Sequence, residues 1–219
     1  REIYLPLVIE RLTNWVIVPA PNEGWARTVF GEPDLERLWQ AVATAMRLDE
    51  DDPVKAWQDH AATLRVRSAA LNERGFDAVR FRGPGTDLVV GLLEASRWMC
   101  ATFETTAGIE HLPNIPTEEV FTTPDWRRTT GVVRSTYPLI VPGVFARVDG
   151  LEVRFEEGRI VDVKADGDGA EVIRTQLASD PQAPFLGEIA LVDGSSRIRQ
   201  TGLVFHDTRF GENASCSIA

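Results

Sequence analysis

Hydrophobic and polar positions change their period along this chain, and the change divides it. After Pro33-Asp34, apolar residues recur at helical spacing (Leu35, Leu38, Trp39, Val42 and Met46), which predicts a helix. It breaks at Asp49-Glu50-Asp51-Asp52-Pro53, where carboxylates suit the free N–H groups at the start of the next helix. That helix is predicted from Pro53 to about Arg74, with Trp57, Ala61, Leu64 and Ala69 marking its apolar side and Gly75 placed to end it. From Phe76 the period falls to two, and Phe76–Phe81 alternates as a half-buried strand should. Further strands are predicted at Leu88–Leu92, Gly131–Ser135, Phe145–Val148, Val153–Phe155, Ile160–Ala165, Gly187–Val192 and Gly202–Phe205, with one helix over Glu171–Ala178. Upstream, Arg1–Glu10 reads as the tail of a helix, Trp15–Pro19 as a buried strand stopped by proline, and Ala20–Gly24 as a turn or loop. The expected fold class is α+β, a helical N-terminal part followed by a strand-rich catalytic-type domain.

Charge removes two classes of partner. A net charge of −10 opposes nucleic acid, whose phosphates need a basic face, and opposes an anionic membrane surface. No apolar run reaches the roughly 18 residues of a membrane-crossing helix. Cys100 and Cys216 form neither a CxxC pair nor a disulfide framework, so a reducing, cytoplasmic setting is expected. The chain opens on Arg1 with no signal-peptide pattern, which points to a start inside a longer protein or after processing.

The catalytic motifs with fixed spacing are missing: there is no GxSxG, Walker A, GxGxxG or HExxH. Gly83-Pro84-Gly85-Thr86-Asp87 lacks a phosphate-loop lysine and reads as a tight turn. With His60, His111 and His206 the only histidines, a three-histidine zinc site is not expected, and a carboxylate-dominated site is the remaining option. Three acidic segments offer one. In Asn114–Pro124, Glu118 and Glu119 are neighbours, and in an extended segment neighbours point to opposite faces. The pair reads either as one metal-facing and one substrate-facing carboxylate or as two exposed glutamates on a capped loop. Glu188 sits in the apolar stretch Leu186–Val192; if buried it needs an ion, a hydrogen bond or a metal, and otherwise it faces water at a strand edge. Phe205–Cys216 is rich in ligand types, although His206 alone reads as structural. Trp98 is either a core anchor or part of a peptide cleft.

Together these segments resemble one family. "NIPTEEVFTTP" at 114–124 looks like the signature of the thermophilic metallo-aminopeptidases of the aminopeptidase T/S type. The resemblance extends, in family order, to 15–30, 38–57, 81–92, "LGEIALVDGSS" at 186–196 and "TGLVFHDTRFGENASC" at 201–216. It implies an exopeptidase that removes N-terminal residues from peptides, works as a homodimer and uses two divalent ions, zinc, cobalt or magnesium. Carried over by motif, Glu119 is a metal ligand, Glu118 the general base (or the two exchanged), Glu188 the bridge between metals and Glu212 a further ligand. The family motif Asp-Glu-Asn-Ala-(Ala/Ser)-(Cys/Ser)-His reads Gly211-Glu212-Asn213-Ala214-Ser215-Cys216-Ser217 here, so Ser217 occupies the expected histidine-ligand position and Gly211 replaces an aspartate. An aromatic residue is usual where His206 stands, which makes His206 a conceivable stand-in ligand.

The resemblance further implies that 1–75 links to an N-terminal domain not in this sequence. It implies that 76–219 is the metallopeptidase domain, stopping short of a later tyrosine and His-x-Asp pair. Two functional expectations follow: an aminopeptidase impaired by Ser217, or a catalytically inactive relative serving as a peptide-binding or dimerisation module.

Overall fold

A computed structural model describes residues 4–141, 144 and 146–219. Helix α1 spans Tyr4–Ile9, α2 Glu23–Phe30, α3 Leu35–Ala45 and α4 Pro53–Arg74. Each of the last three starts at a side-chain cap: Asn22 accepts from the Trp25 N–H, Asp34 from Arg37, and Asp52 from Lys55. Of the acidic run 49–52, Asp52 caps the helix as expected, whereas Asp49 and Glu50 pair with Arg197 instead. Two expectations fail upstream. Ala20–Gly24 is not all turn or loop, because Asn22 launches α2. Trp15–Pro19 is not a buried strand: Val16, Ile17 and Val18 are exposed, and only Ile17 forms a bridge, in parallel with Asn114. An apolar run gives no sign of whether a ladder partner exists, and among the described residues there is none beyond that bridge.

Downstream the chain is antiparallel β. Strands β1 (Ala78–Gly83) and β2 (Thr86–Leu92) form a hairpin whose two-residue turn, Pro84-Gly85, uses the left-handed conformation of Gly85 at φ 72°. The glycine-rich stretch is therefore the tight turn expected. Two short strands, β3 (Phe103–Glu104) and β4 (Glu110–His111), pair with each other. After β5 (Glu119–Thr122) come β6 (Pro124–Arg134), β7 (Leu139–Val141), β8 (Ala146–Val148), β9 (Glu152–Glu156) and β10 (Arg159–Lys164), then α5 (Gly169–Leu177). Of the strand predicted at 145–148, Phe145 lies outside the described residues. The last elements are β11 (Ile189–Val192), α6 (Arg197–Gln200), α7 (Thr208–Glu212) and β12 (Ser217–Ile218). The strand predicted at Gly202–Phe205 is a correction: Gly202 turns the chain at φ 67° and the following residues join no ladder.

One sheet runs β1-β2-β6-β9-β10 and a second, smaller one runs β12-β11-β5. Leu64 of α4 is fully buried with Leu88, Val90, Val120, Phe155 and Ile189, so α4 closes the core shared by both sheets. Trp98 belongs to this core at 5% exposure; Ala69 is exposed. A second core joins Ala26, Leu38 and Val42 of α2 and α3 to Ile198, Phe205 and Phe210 near α6 and α7, so the N-terminal helices pack on the C-terminal segment. The fold is α+β. Among the described residues no helix is long and apolar enough to cross a membrane.

Candidate metal centre

The small sheet positions the acidic residues. Its register pairs Glu119 with Val192, Phe121 with Ala190, and Ala190 with Ser217 of β12. Because side chains alternate along a strand, Glu119, Phe121, Glu188, Ala190, Val192 and Ser217 share one face. Glu188 enters this face just before β11, where its backbone N–H donates to the Ala219 carbonyl and its own carbonyl accepts from the Ala219 N–H. Glu212 ends α7, the short helix capped by Asp207 through the N–H groups of Arg209 and Phe210.

These carboxylates sit where ionisation is costly. Burial, then Glu212, then Glu188, push the Glu119 carboxyl up to about 8, and Glu119 Oε2 is buried without a hydrogen-bond partner. Burial raises Glu188, and burial with the neighbouring Glu188 raises Glu212. The donor set therefore fits a divalent cation in its chemistry: three carboxylates whose charges act on one another, one with an orphaned oxygen. It is not a closed cage. Among the described residues no three His, Cys, Asp or Glu side chains are gathered closely enough to hold a metal ion. The register gives a reason, since Glu188 and Glu119 lie at opposite ends of the β5–β11 ladder, four residues or roughly 13 Å apart along the strand. Ser217 shares the face from β12, on the side of β11 away from Glu119 and one pleat along from Glu188. An open cavity of about 360 Å³ adjoins, reached by Glu212 and Ser217 and lined by apolar residues such as Leu139, Phe155 and Phe185.

Two expected residues lie elsewhere. Glu118 does not open onto that face: it is 4% exposed, and its Oε1 accepts from Arg47 Nη1 at 2.6 Å. His206, in the left-handed region at φ 52°, feels Arg147 and Asp149 rather than the glutamates, and burial is the main cause of its lowered pKa.

Around Glu118 the structure adds residues that no motif singled out. Arg47 Nη2 lies 3.0 Å from His60 Nδ1, and His60 Nε2 lies 2.9 Å from the Thr117 carbonyl and 3.5 Å from Glu118 Oε2. A guanidinium only donates, so Nδ1 accepts and the ring proton sits on Nε2, donating to Thr117. Burial, the largest influence on His60, lowers its pKa and favours this neutral form. Asn213, 2% exposed, accepts from the Glu118 N–H at 2.5 Å and donates to the Arg209 carbonyl. The only signal in the sequence was the placement of Asn213 beside Glu212; Arg47 and His60 carried none.

Comparison with known proteins places the chain among the metal-dependent peptidases. The family model described as thermophilic metalloprotease (M29) matches residues 1–219, and the chain belongs to that family. Aminopeptidase T of Thermus thermophilus is 48% identical over 219 residues, covering 98% of this chain and 53% of the relative. Aminopeptidase PepS of Streptococcus thermophilus is 41% identical over 211 residues, covering 94% of this chain and 50% of the relative. The solved structure of wild-type AmpT from Thermus thermophilus superposes with a TM-score of 0.89 at 45% identity, over 98% of this chain and 53% of that one. The chain thus spans about half the length of the relatives it matches.

Proposed function

We propose that this chain carries part of the active centre of a metal-dependent aminopeptidase, with Glu119, Glu188 and Glu212 as ligands to a pair of divalent ions, zinc, cobalt or magnesium. The observation that carries the reading is the buried, unpartnered Oε2 of Glu119, in a carboxyl group that feels both Glu188 and Glu212. Isolated buried carboxylates are costly, and a cation offsets that cost. The chemistry supplied by such ions when bound is Lewis acidity toward water and a scissile carbonyl.

The chain's own residues do the rest. The three carboxylates fix where the cation charge lies, and the acidic face attracts a free α-ammonium group, which favours peptide N-termini. The apolar cavity beside Glu212 excludes water and accepts the N-terminal side chain. Ser217 supplies a neutral hydroxyl where the resemblance implies imidazole, so affinity and turnover are lowered. Glu118 turns its carboxylate away from this face, and we give it a supporting role rather than the proton transfer expected from the sequence. A cytoplasmic homodimer is the setting carried over from the resemblance, in keeping with two unpaired cysteines. The net charge of −10 sets nucleic acid and anionic membranes aside as partners.

The test is release of the N-terminal residue from a leucyl peptide, followed by mass spectrometry with cobalt and with a chelator. Slow release that needs cobalt, spares an N-acetylated peptide and rises in Ser217→His supports the proposal. Internal cleavage, or release indifferent to chelation, contradicts it. No release from either form, with cobalt bound, favours the alternative of a non-catalytic peptide-binding or dimerisation module, for which Ser217 is the supporting observation.

A further inference from the structure

Arg47 is a buried cation at some distance from the acidic face, and its surroundings are built around it. It follows α3 and takes φ 58°, a left-handed conformation that side chains other than glycine adopt only when the surroundings impose it. It is 7% exposed. Trp57 braces it from α4: the indole N–H donates to the Met46 carbonyl at 2.8 Å, and the guanidinium lies 4.9 Å from the ring centroid. Outside, Arg197 of α6 pairs with Asp49 at 2.7 Å and with Glu50, tethering the loop that carries Arg47.

Inside, one guanidinium serves two acceptors. Its Nη1 reaches Glu118 and its Nη2 reaches His60, which holds the Thr117 carbonyl in turn. Asn213 holds the Glu118 N–H. Side chain and backbone at 117–118 are therefore fixed from both sides. Neighbours in an extended segment point to opposite faces, so a Glu118 drawn inward sends Glu119 outward, to the face shared with Glu188 and Ser217.

We propose that Arg47 is a positioning residue: through Glu118 and His60 it locks the Thr117–Glu119 backbone so that Glu119 is aimed at Glu188 and Glu212. Lysine has the charge but not the planar fork that spans both acceptors. This inference rests on the metal-centre reading above.

The test measures cobalt affinity by calorimetry on the 219-residue chain and on Arg47→Ala, Arg47→Lys, Glu118→Gln and the Arg47→Ala/Glu118→Gln double variant. Urea midpoints are recorded in parallel. Arg47→Ala is expected to weaken cobalt binding about 10- to 100-fold, the usual scale for a group that orients a ligand. The double variant is expected to bind no more weakly than Glu118→Gln alone, because Arg47 acts through Glu118. Val163→Ala, in the separate core of Val141, Val148 and Ile173, loosens packing without touching this network and should lower the urea midpoint and leave cobalt affinity unchanged. If Arg47→Ala does not fold, Arg47→Lys decides: about a tenfold loss supports the proposal, and parental affinity overturns it. Parental affinity in Arg47→Ala, or independent effects of Arg47 and Glu118, also overturns it while leaving the metal centre standing. If the parent chain binds no cobalt, the metal-centre reading fails and this inference fails with it.

Discussion

Replacing Glu119 by glutamine should change the sign of its effect when metal is added. In the chelated protein the Glu119 carboxyl is pushed from 4.5 up to about 8, chiefly by burial and next by Glu212 and Glu188. The unfolded chain gives up this proton near pH 4.5 and the folded chain near 8, so between those values the folded state binds more protons. Stability contributed at this position therefore falls as pH rises from about 4.5 to about 8 and levels off above. At 1.36 kcal/mol per pH unit the full penalty is at most about 5 kcal/mol. Partial exposure of the residue and shared titration with Glu188 and Glu212 reduce it, and about 2 kcal/mol is a fair expectation. Glu119→Gln removes the charge and keeps the shape. In chelator at pH 8.5 it should raise stability by about 2 kcal/mol by urea unfolding, and at pH 4.5 it should change little. With excess cobalt the order inverts, because the parent gains binding energy that the glutamine variant has lost. A Glu119→Gln variant that is less stable than its parent in chelator at pH 8.5 would refute the reasoning.

Three further outcomes are expected. Leu64→Ala, at a fully buried position joining α4 to both sheets, should cost about 2–5 kcal/mol in urea unfolding; a loss under 1 kcal/mol would mean that the helix is not part of that core. Gly158 has φ 85°, and a Cβ there would run into the Trp126 carbonyl oxygen. Gly158→Ala should therefore lower stability by at least about 1–3 kcal/mol, and an unchanged thermal midpoint would contradict the close approach. Ser217→His, placing imidazole on the same face across β11 from Glu119, should tighten cobalt binding by about tenfold or more by calorimetry; equal affinity would show that position 217 does not reach the ion.

The sequence made some of this plain. Helices α3 and α4 carry an apolar stripe, an acidic N-cap and, for α4, a glycine terminator, and all of these act locally. Helix α2 was readable in principle: Asn22 ahead of Trp25 is a capping signal, and Pro21 beside it reads equally well as a turn. Trp15–Pro19 shows the limit of composition, since β-branched residues look alike whether a strand receives them or solvent does. The acidic positions could be named from their motifs, but not their arrangement. Glu119 and Glu188 come to one face only through the β5–β11 register, which joins segments far apart in the chain. The network behind them was further out of reach. Arg47 and Glu118 are 71 residues apart, Glu118 and Asn213 are 95 apart, and neither pair has a local pattern to betray it.

The carboxylate centre is tested most directly by cobalt-edge anomalous diffraction from crystals grown with cobalt. Density bounded by Glu119, Glu188 and Glu212, and lost in Glu119→Gln, is the predicted result. Strong anomalous density elsewhere on the chain, or a full-occupancy site indifferent to Glu119, would contradict it.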